Sequence, residues 1–290
     1  MATKLTKPLI VIVGPTASGK TALAIEIAKK YNGEIICADS RTVYKGMDIG
    51  TAKPTVPERQ GIPHHLLDVV EPDQKFTAAD FKKLADEAID DIQKRGKLPI
   101  MVGGSGLYID AVIYDYNFRA SNPDIRSKFQ DASVEELQAE LAARGIPLPQ
   151  NDRNQRYLLR SLESGQAAPI DKILQPETLI IGLDIDRKIL KSRIAARVDS
   201  MLQSGLIDEI KRLSKSYGWE PSAMQAPAYK SFRNYVDGHE SLDQAVSYNI
   251  MFDARLAKKQ RTWFKRNNSI QWIDDPSKYV DILTTFLNTR

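Results

Sequence analysis

An α/β fold is predicted, a parallel sheet flanked by helices with an all-helical insertion and a helical C-terminal region, and three observations predict it. Over the first hundred residues short apolar runs alternate with amphipathic segments of helix length. The stretch 118–177 then shows helical patterns only, and an apolar strand pattern resumes at TLIIGLDI (178–185) before helices take over. The chain's 290 residues suit one large domain with a smaller attachment, and 42% hydrophobic residues supply a sizeable core. The expected division is 1–117 with 178–290 as the core and 118–177 as the insertion.

The elements follow in order. PLIVIV (8–13) is a buried strand, followed by a glycine-rich loop and a helix from Thr21 to about Tyr31. GEIICADS (33–40) is a short strand ending in polar residues, and HHLLDVV (64–70) is another candidate strand. Thr77 and Asp80 have capping-box spacing; behind them Phe81, Leu84, Ala85, Ala88, Ile89 and Ile92 form one apolar stripe that Gly96 stops. LPIMVGGS (98–105) is the next strand. Helix-length spacers between strands imply parallel pairing with both faces covered. In the insertion Ser133 and Glu136 cap SVEELQAELAARG, and NQRYLLRSLESG (154–165) is a basic amphipathic helix. SIQWID (269–274), near the end, is a candidate edge strand.

Composition narrows the function classes. No apolar run is long enough to span a membrane, and the first strand runs into the loop rather than into a cleavage site. A single cysteine, Cys37, rules out an internal disulfide and a cysteine metal cluster; with three histidines, a histidine metal site is disfavoured too. A cytoplasmic protein is expected. The formal net charge of +4 is mild, so its distribution carries more information than its size.

Four stretches carry chemistry. GPTASGKT, that is Gly14, Pro15, Thr16, Ala17, Ser18, Gly19, Lys20 and Thr21, matches the phosphate-loop pattern in every fixed position and in its setting between strand and helix. Its backbone N–H groups and the helix dipole suit an anion, Lys20 adds a point charge, and the Thr21 hydroxyl suits Mg²⁺. The fold is therefore of the P-loop type. Asp39 and Ser40 stand at a strand's carboxyl end, where open sheets place ligands. A carboxylate there can ligate Mg²⁺ through water, accept a proton or cap a helix, and spacing does not choose among them. KGMDIGTAKP (45–54) is expected to be a loop crossing the mouth of the site. VGGSGLY (102–108) is a third strand-to-helix turn, in which a positive φ would by itself account for two of the three glycines. ARLAKKQRTWFKRNN (254–268) has six basic residues and no acid, a pattern suited to a polyanion; Trp263 and Phe264 either stack on bases or pack in the core.

Together these stretches resemble the bacterial tRNA dimethylallyltransferase family over nearly the whole chain. The resemblance rests on GPTASGKT, ADSRTVYKGMDIGTAKP (38–54), IPHHLLD (62–68), FTAADF, VGGSGLYI, NQRYLLRSLESG, AMQAPAYK (223–230) and AKKQRTWFKR. It implies transfer of a dimethylallyl group from dimethylallyl diphosphate to N6 of the adenosine 3′-adjacent to the anticodon, with release of pyrophosphate. It further implies Asp39 as the base, with Lys20, Thr21 and Mg²⁺ on the leaving group and residues 14–21 as the diphosphate cradle. The implied tRNA contacts, to the anticodon stem-loop, are Asp39, Ser40, Arg41, Thr42, Ser105, Arg126, Arg156, Tyr157, Leu158, Leu159 and Arg160. His64 and His65 are expected to pack and hydrogen-bond near the site. Nothing suggests an obligate dimer, and a monomer is expected. The chain departs from the family pattern at Ser105 (usually Thr), Tyr157 (usually Arg), Pro227-Ala228 (usually Ile-Gly) and Lys259 (usually Arg). An adenylate isopentenyltransferase acting on free AMP, ADP or ATP shares the core but needs no basic clamp. The loop alone also admits a small-molecule kinase or NTPase. A relic RNA-binding scaffold has no need of Lys20, Thr21 and Asp39 together.

Overall fold

The computed structural model describes residues 8–118, 122–166 and 173–288. The chain divides into two compact units, Met1–Asp115 with Gln175–Arg290, and Tyr116–Leu174. In the first unit β1 (Leu9–Val13) leads to α1 (Lys20–Lys30), then β2 (Gly33–Ala38) and β3 (His64–His65). Helix α2 (Ala78–Lys94), β4 (Leu98–Gly103) and α3 (Gly106–Ile113) follow. The second unit holds α4 (Pro123–Phe129), α5 (Val134–Ala143) and α6 (Gln155–Ser164). The chain returns to the first unit as β5 (Thr178–Leu183), α7 (Arg187–Gln203), α8 (Leu206–Tyr217), α9 (Pro227–Val236), α10 (Leu242–Phe264), β6 (Ile270–Ile273) and α11 (Tyr279–Asn288).

The six strands form one parallel sheet in the order β3-β2-β4-β1-β5-β6. Every residue of β1 and β2 is buried, as strands covered on both faces require. One core packs the sheet against α1 and α11; a second joins α7, α8, α9 and α10 to Val43, Tyr44 and Met47. Local signals placed several boundaries. Thr77 and Asp80 form a reciprocal capping box on α2, Ser133 and Glu136 another on α5, and Gly96 turns left-handed after α2 at φ 72°. Pro227 occupies the first position of α9, where its missing N–H costs nothing, and Ala228 is buried beside it.

The expected strand 64–70 is corrected: only His64 and His65 pair with β2, because Leu66 (φ 63°) and Asp68 (φ 55°) turn left-handed and break the extended run. Pairing returns as one bridge, Tyr44 to Val70. The two histidines also lie away from the expected place. His65 Nε2 is 2.8 Å from the buried Glu34 Oε2, which with Arg95 and Lys97 forms a charge cluster at the amino end of β2. Its carboxyl is held far below the usual range by the Arg95 hydrogen bond first, against the opposing effect of burial.

Strand register decides the site. Val13 pairs with Gly103 and Gly103 with Ala38, so β1, β4 and β2 end in one row. A Cβ on Gly103 would lie 1.9 Å from the Ala38 carbonyl oxygen, and strand backbone cannot yield that distance. Gly103→Ala is expected to cost about 3 kcal/mol or more by overpacking, read as a lowered urea midpoint.

Candidate active site

Three loops leave that row of strand ends side by side: residues 14–19 after β1, 39–42 after β2 and 104–105 after β4. The glycines of VGGSG are explained by close approach and not by φ. Gly103, Gly104 and Gly106 are all absent from the left-handed region. Instead, a Cβ on Gly104 would meet Gln260 Nε2 at 2.2 Å, and one on Gly106 would meet the Trp263 ring at 2.3 Å. The turn is thus closed down on β2 at one end and on α10 at the other.

The 14–21 loop has the shape its sequence predicts. Ala17 (φ 61°) and Gly19 (φ 95°) turn left-handed, the alternation that lets successive N–H groups converge on an anion. α1 begins at Lys20 directly behind it. Lys20 Nζ donates to Pro15 O at 2.6 Å; burial pushes this ammonium down to about 8, Asp39 partly opposes the shift and Arg197 adds to it. Thr21 is exposed at the first helical turn, and the Ser18 hydroxyl is buried with no hydrogen-bond partner among the described residues.

Two arginines missed by sequence reading reach the same loop from α7, one turn apart. Arg193 Nη1 donates to Ser18 O at 3.4 Å, and Arg197, close enough to depress Lys20, pairs with the buried Asp253 at 2.8 Å. No local pattern marks them, because α7 carries basic residues on several faces.

Asp39 Oδ1 accepts from the Arg41 N–H two residues on, at 2.8 Å, and Oδ2 has no hydrogen bond among the described residues. One oxygen fixes the local turn and the other remains available. Ser105 Oγ accepts from the Ser40 N–H at 2.8 Å and Ser105 N–H donates to Ala38 O, so the β2 and β4 loops are sewn together. Arg41 Nη1 donates to Ser222 O, in the single turn Ser222–Gln225. Thr42 is buried, and its hydroxyl has no hydrogen-bond partner among the described residues.

The segment 45–54 is anchored. Glu209, buried on α8, accepts from the N–H groups of Asp48, Ile49 and Gly50 and from Tyr229 Oη, at 2.7–2.9 Å. Lys53 is buried and ties Asp48, Asp68 and Tyr44 O together. These partners come from distant elements, so composition alone shows a polar loop where the fold makes a fixed one.

Within the second unit, Arg126 and Arg160 both pair with the buried Glu163, at 2.6 and 3.0 Å. Arg156 is exposed, its guanidinium unpaired among the described residues, and Tyr157 is also exposed. Leu158 and Leu159 are corrected: both side chains are buried with Leu137, Leu141 and Leu162 in this unit's apolar core, which leaves Arg156, Tyr157 and Arg160 as the outward positions. On α10, Phe264 is buried in the core, and Trp263 is half-buried with one edge of its ring against Gly106. Arg261 and Lys265 pair with Asp184, while Arg255, Lys258 and Lys259 are exposed and unpaired among the described residues. Cys37 is buried, its thiol pushed up to about 12 by burial first and Asp39 second, which makes it inert.

No group of three or more metal-ligating side chains occurs among the described residues, and no helix there is long and apolar enough to cross a membrane. The arrangement can bind a phosphorylated leaving group on the loop after β1 and present a carboxylate from the loop after β2, with the β4 turn between them.

Comparison with known proteins places the chain among its relatives. The IPP transferase family model matches residues 42–267. A Bacillus velezensis protein named tRNA dimethylallyltransferase is 43% identical over 287 residues, covering 92% of this chain and 91% of that protein. A Bacillus subtilis protein of the same name is 41% identical over 285 residues, with 92% and 91% covered. Among solved structures, the tRNA isopentenylpyrophosphate transferase of Bacillus halodurans superposes with TM-score 0.75 at 37% identity over 98% of this chain and 96% of that one. A eukaryotic dimethylallyltransferase described as acting on tRNA gives TM-score 0.83 at 25% identity, over 98% of this chain and 80% of that one.

Lys20 yields a pH prediction. With its ammonium at about 8 in the free protein, Lys20 is mostly charged at pH 7 and mostly neutral at pH 9. A bound diphosphate favours the charged form, so binding above that value must take up a proton. Calorimetry with pyrophosphate should show affinity falling as pH rises through about 8, with proton uptake at pH 9 that Lys20→Met abolishes.

Proposed function

The chain belongs to the IPP transferase family, and on that premise we propose that it transfers a dimethylallyl group from dimethylallyl diphosphate to tRNA, at N6 of the adenosine 3′-adjacent to the anticodon. The observation that carries the reading is the level placement of a phosphate loop and a carboxylate at the ends of β1 and β2, with one glycine-rich turn between them.

The division of labour follows from the chemistry. The N6 lone pair is delocalised into the adenine ring, so the amine is a poor nucleophile and gains from losing its proton as the C–N bond forms. Asp39, with Oδ1 held by the Arg41 N–H and Oδ2 available, is the base we assign. As the C–N bond forms, the bond from the allylic carbon to the diphosphate oxygen breaks, and the electron pair leaves with pyrophosphate. The growing charge falls on the loop N–H groups from Gly19 to Thr21, on Lys20, and on Arg193 and Arg197. The phosphorus atoms are not attacked. A magnesium ion fits this site: Mg²⁺ is commonly held by one or two protein oxygens plus substrate phosphates, and Thr21 presents an exposed hydroxyl at the loop's end. When bound it would neutralise diphosphate charge.

A base stacked in an anticodon loop must be extruded to reach Asp39. Arg126, Arg156 and Arg160 of the insertion, with Arg255, Lys258 and Lys259 of α10, supply the cationic surfaces that a polyanion of this size needs. Ser105, whose oxygen already accepts from Ser40, still has its own proton to donate to the RNA. A free mononucleotide has no use for these outlying charges.

Incubation with labelled dimethylallyl diphosphate and either tRNA or AMP tests the assignment: label is expected in tRNA, and label in AMP alone would sink it. Asp39→Asn keeps the acceptor for the Arg41 N–H but takes no proton. It is expected to lower kcat about 10²–10⁴-fold while tRNA still binds; near-normal turnover would remove Asp39 from the role of base.

A further inference from the structure

α10 meets the surroundings of the phosphate loop at two points on one buried face. Gln260 Oε1 accepts from the Thr16 N–H at 2.8 Å, across 244 positions of sequence, and so caps the start of the loop. Two turns back on the same face stands Asp253, also buried. A carboxylate is costly to remove from water unless it is paired. Asp253 Oδ2 accepts from Arg197 Nη2 at 2.8 Å, and Arg197 is its one hydrogen-bond partner among the described residues. Arg197 has no other there, and its Nε is buried without one.

The pair is lopsided: the Asp253 side chain is 3% exposed and that of Arg197 26%. The carboxylate is shut inside the packing face of α10, while the cation still reaches solvent. Arg193, one turn earlier on the same face of α7, touches the loop at Ser18 O, and Arg197 is close enough to act on the Lys20 ammonium.

This ion pair does little to hold the fold together. α7 and α10 already share an apolar core that includes Val198 and Ala245, and a buried pair adds little net stability because desolvation offsets attraction. What it supplies is a fixed place for a cation. A guanidinium is a planar fork that can leave one N–H on Asp253 and turn others toward an anion. An untethered arginine would lose rotamer freedom on meeting its ligand, and a tethered one has lost it beforehand.

We propose that Asp253 is a positioning residue for the transfer: it holds the Arg197 guanidinium at the phosphate loop before the donor binds, so that this cation is in place when pyrophosphate departs. This rests on the reading that the loop holds the donor's diphosphate. Asp253 touches neither substrate and acts only through Arg197.

The test is calorimetric binding of inorganic pyrophosphate to variants of the full chain. Asp253→Asn and Asp253→Ala remove the same charge, but only asparagine keeps an acceptor for Arg197. The difference between them therefore isolates the hold on the guanidinium from the change in local potential. Asp253→Ala is expected to bind pyrophosphate about fivefold more weakly than Asp253→Asn, as for one hydrogen bond with an uncharged acceptor. With Arg197→Met added to each, the two are expected to bind alike. Should the alanine variant not fold, Asp253→Leu occupies a similar volume without an acceptor and carries the same comparison. Equal affinities while Arg197 is present overturn the positioning role. So does a difference that survives Arg197→Met, which would make Asp253 a packing residue. Either result leaves the diphosphate site standing. Pyrophosphate binding indifferent to Lys20→Met would overturn the diphosphate reading itself, and this proposal with it.

Discussion

The site depends on how closely the backbone after β4 approaches its neighbours. Gly103 lies on the Ala38 carbonyl, Gly104 on the Gln260 amide and Gly106 on the Trp263 ring, and none of the three contacts leaves room for a methyl group. Through them one short turn sets the spacing between the end of β2, which carries Asp39, and α10, which carries the cap of the phosphate loop. Ser105 adds the hydrogen bond to Ser40 N–H that fixes the carboxylate's side of this arrangement. The Gly103 contact is backbone on backbone and has no freedom to repack, whereas the other two are made by side chains of α10.

Charge is concentrated on the other side of the same turn. Lys20, Arg193 and Arg197 gather around one loop, and the pKa of Lys20 is lowered by burial first, with Arg197 adding to the shift. Asp39 and Asp253 offset part of it, the first acting on Lys20 and the second paired with Arg197. A site so charged before its ligand arrives needs little reorganisation when an anionic leaving group develops. In the insertion the same economy recurs: Glu163 has no exposed side-chain surface, yet it holds Arg126 and Arg160 in place, so those guanidiniums are oriented rather than trailing in solvent.

Sequence reading succeeded where the determining contacts are local. The capping boxes at Thr77–Asp80 and Ser133–Glu136, the strand–loop–helix around residues 14–21 and the stripe on α2 all lie within a few residues of what they specify. It failed where a residue's role is fixed by something remote. Gln260 meets Thr16, Glu209 meets the amides of 48–50 and Arg193 meets Ser18, and no spacing rule links such pairs. Leu158 and Leu159 show the converse: they adjoin charged residues in sequence, but a helix sends them to its opposite face and into the core. The glycines of VGGSG were recognised as constrained, and only the packed partners revealed that contact rather than φ is the constraint.

The bond between Thr16 and Gln260 also has a consequence in time. The phosphate loop leaves the ribosome well ahead of Gln260, which is made 244 residues after Thr16. At roughly 5–20 residues per second, that interval lasts about 10–50 s. Throughout it the Thr16 N–H lacks its Gln260 partner, and the parallel neighbours of β1, β4 and then β5, are made only part-way through it. Contacts of such separation close late and slowly because the intervening chain must first be ordered. The nascent chain therefore carries its phosphate loop long before the residue that holds the Thr16 N–H exists.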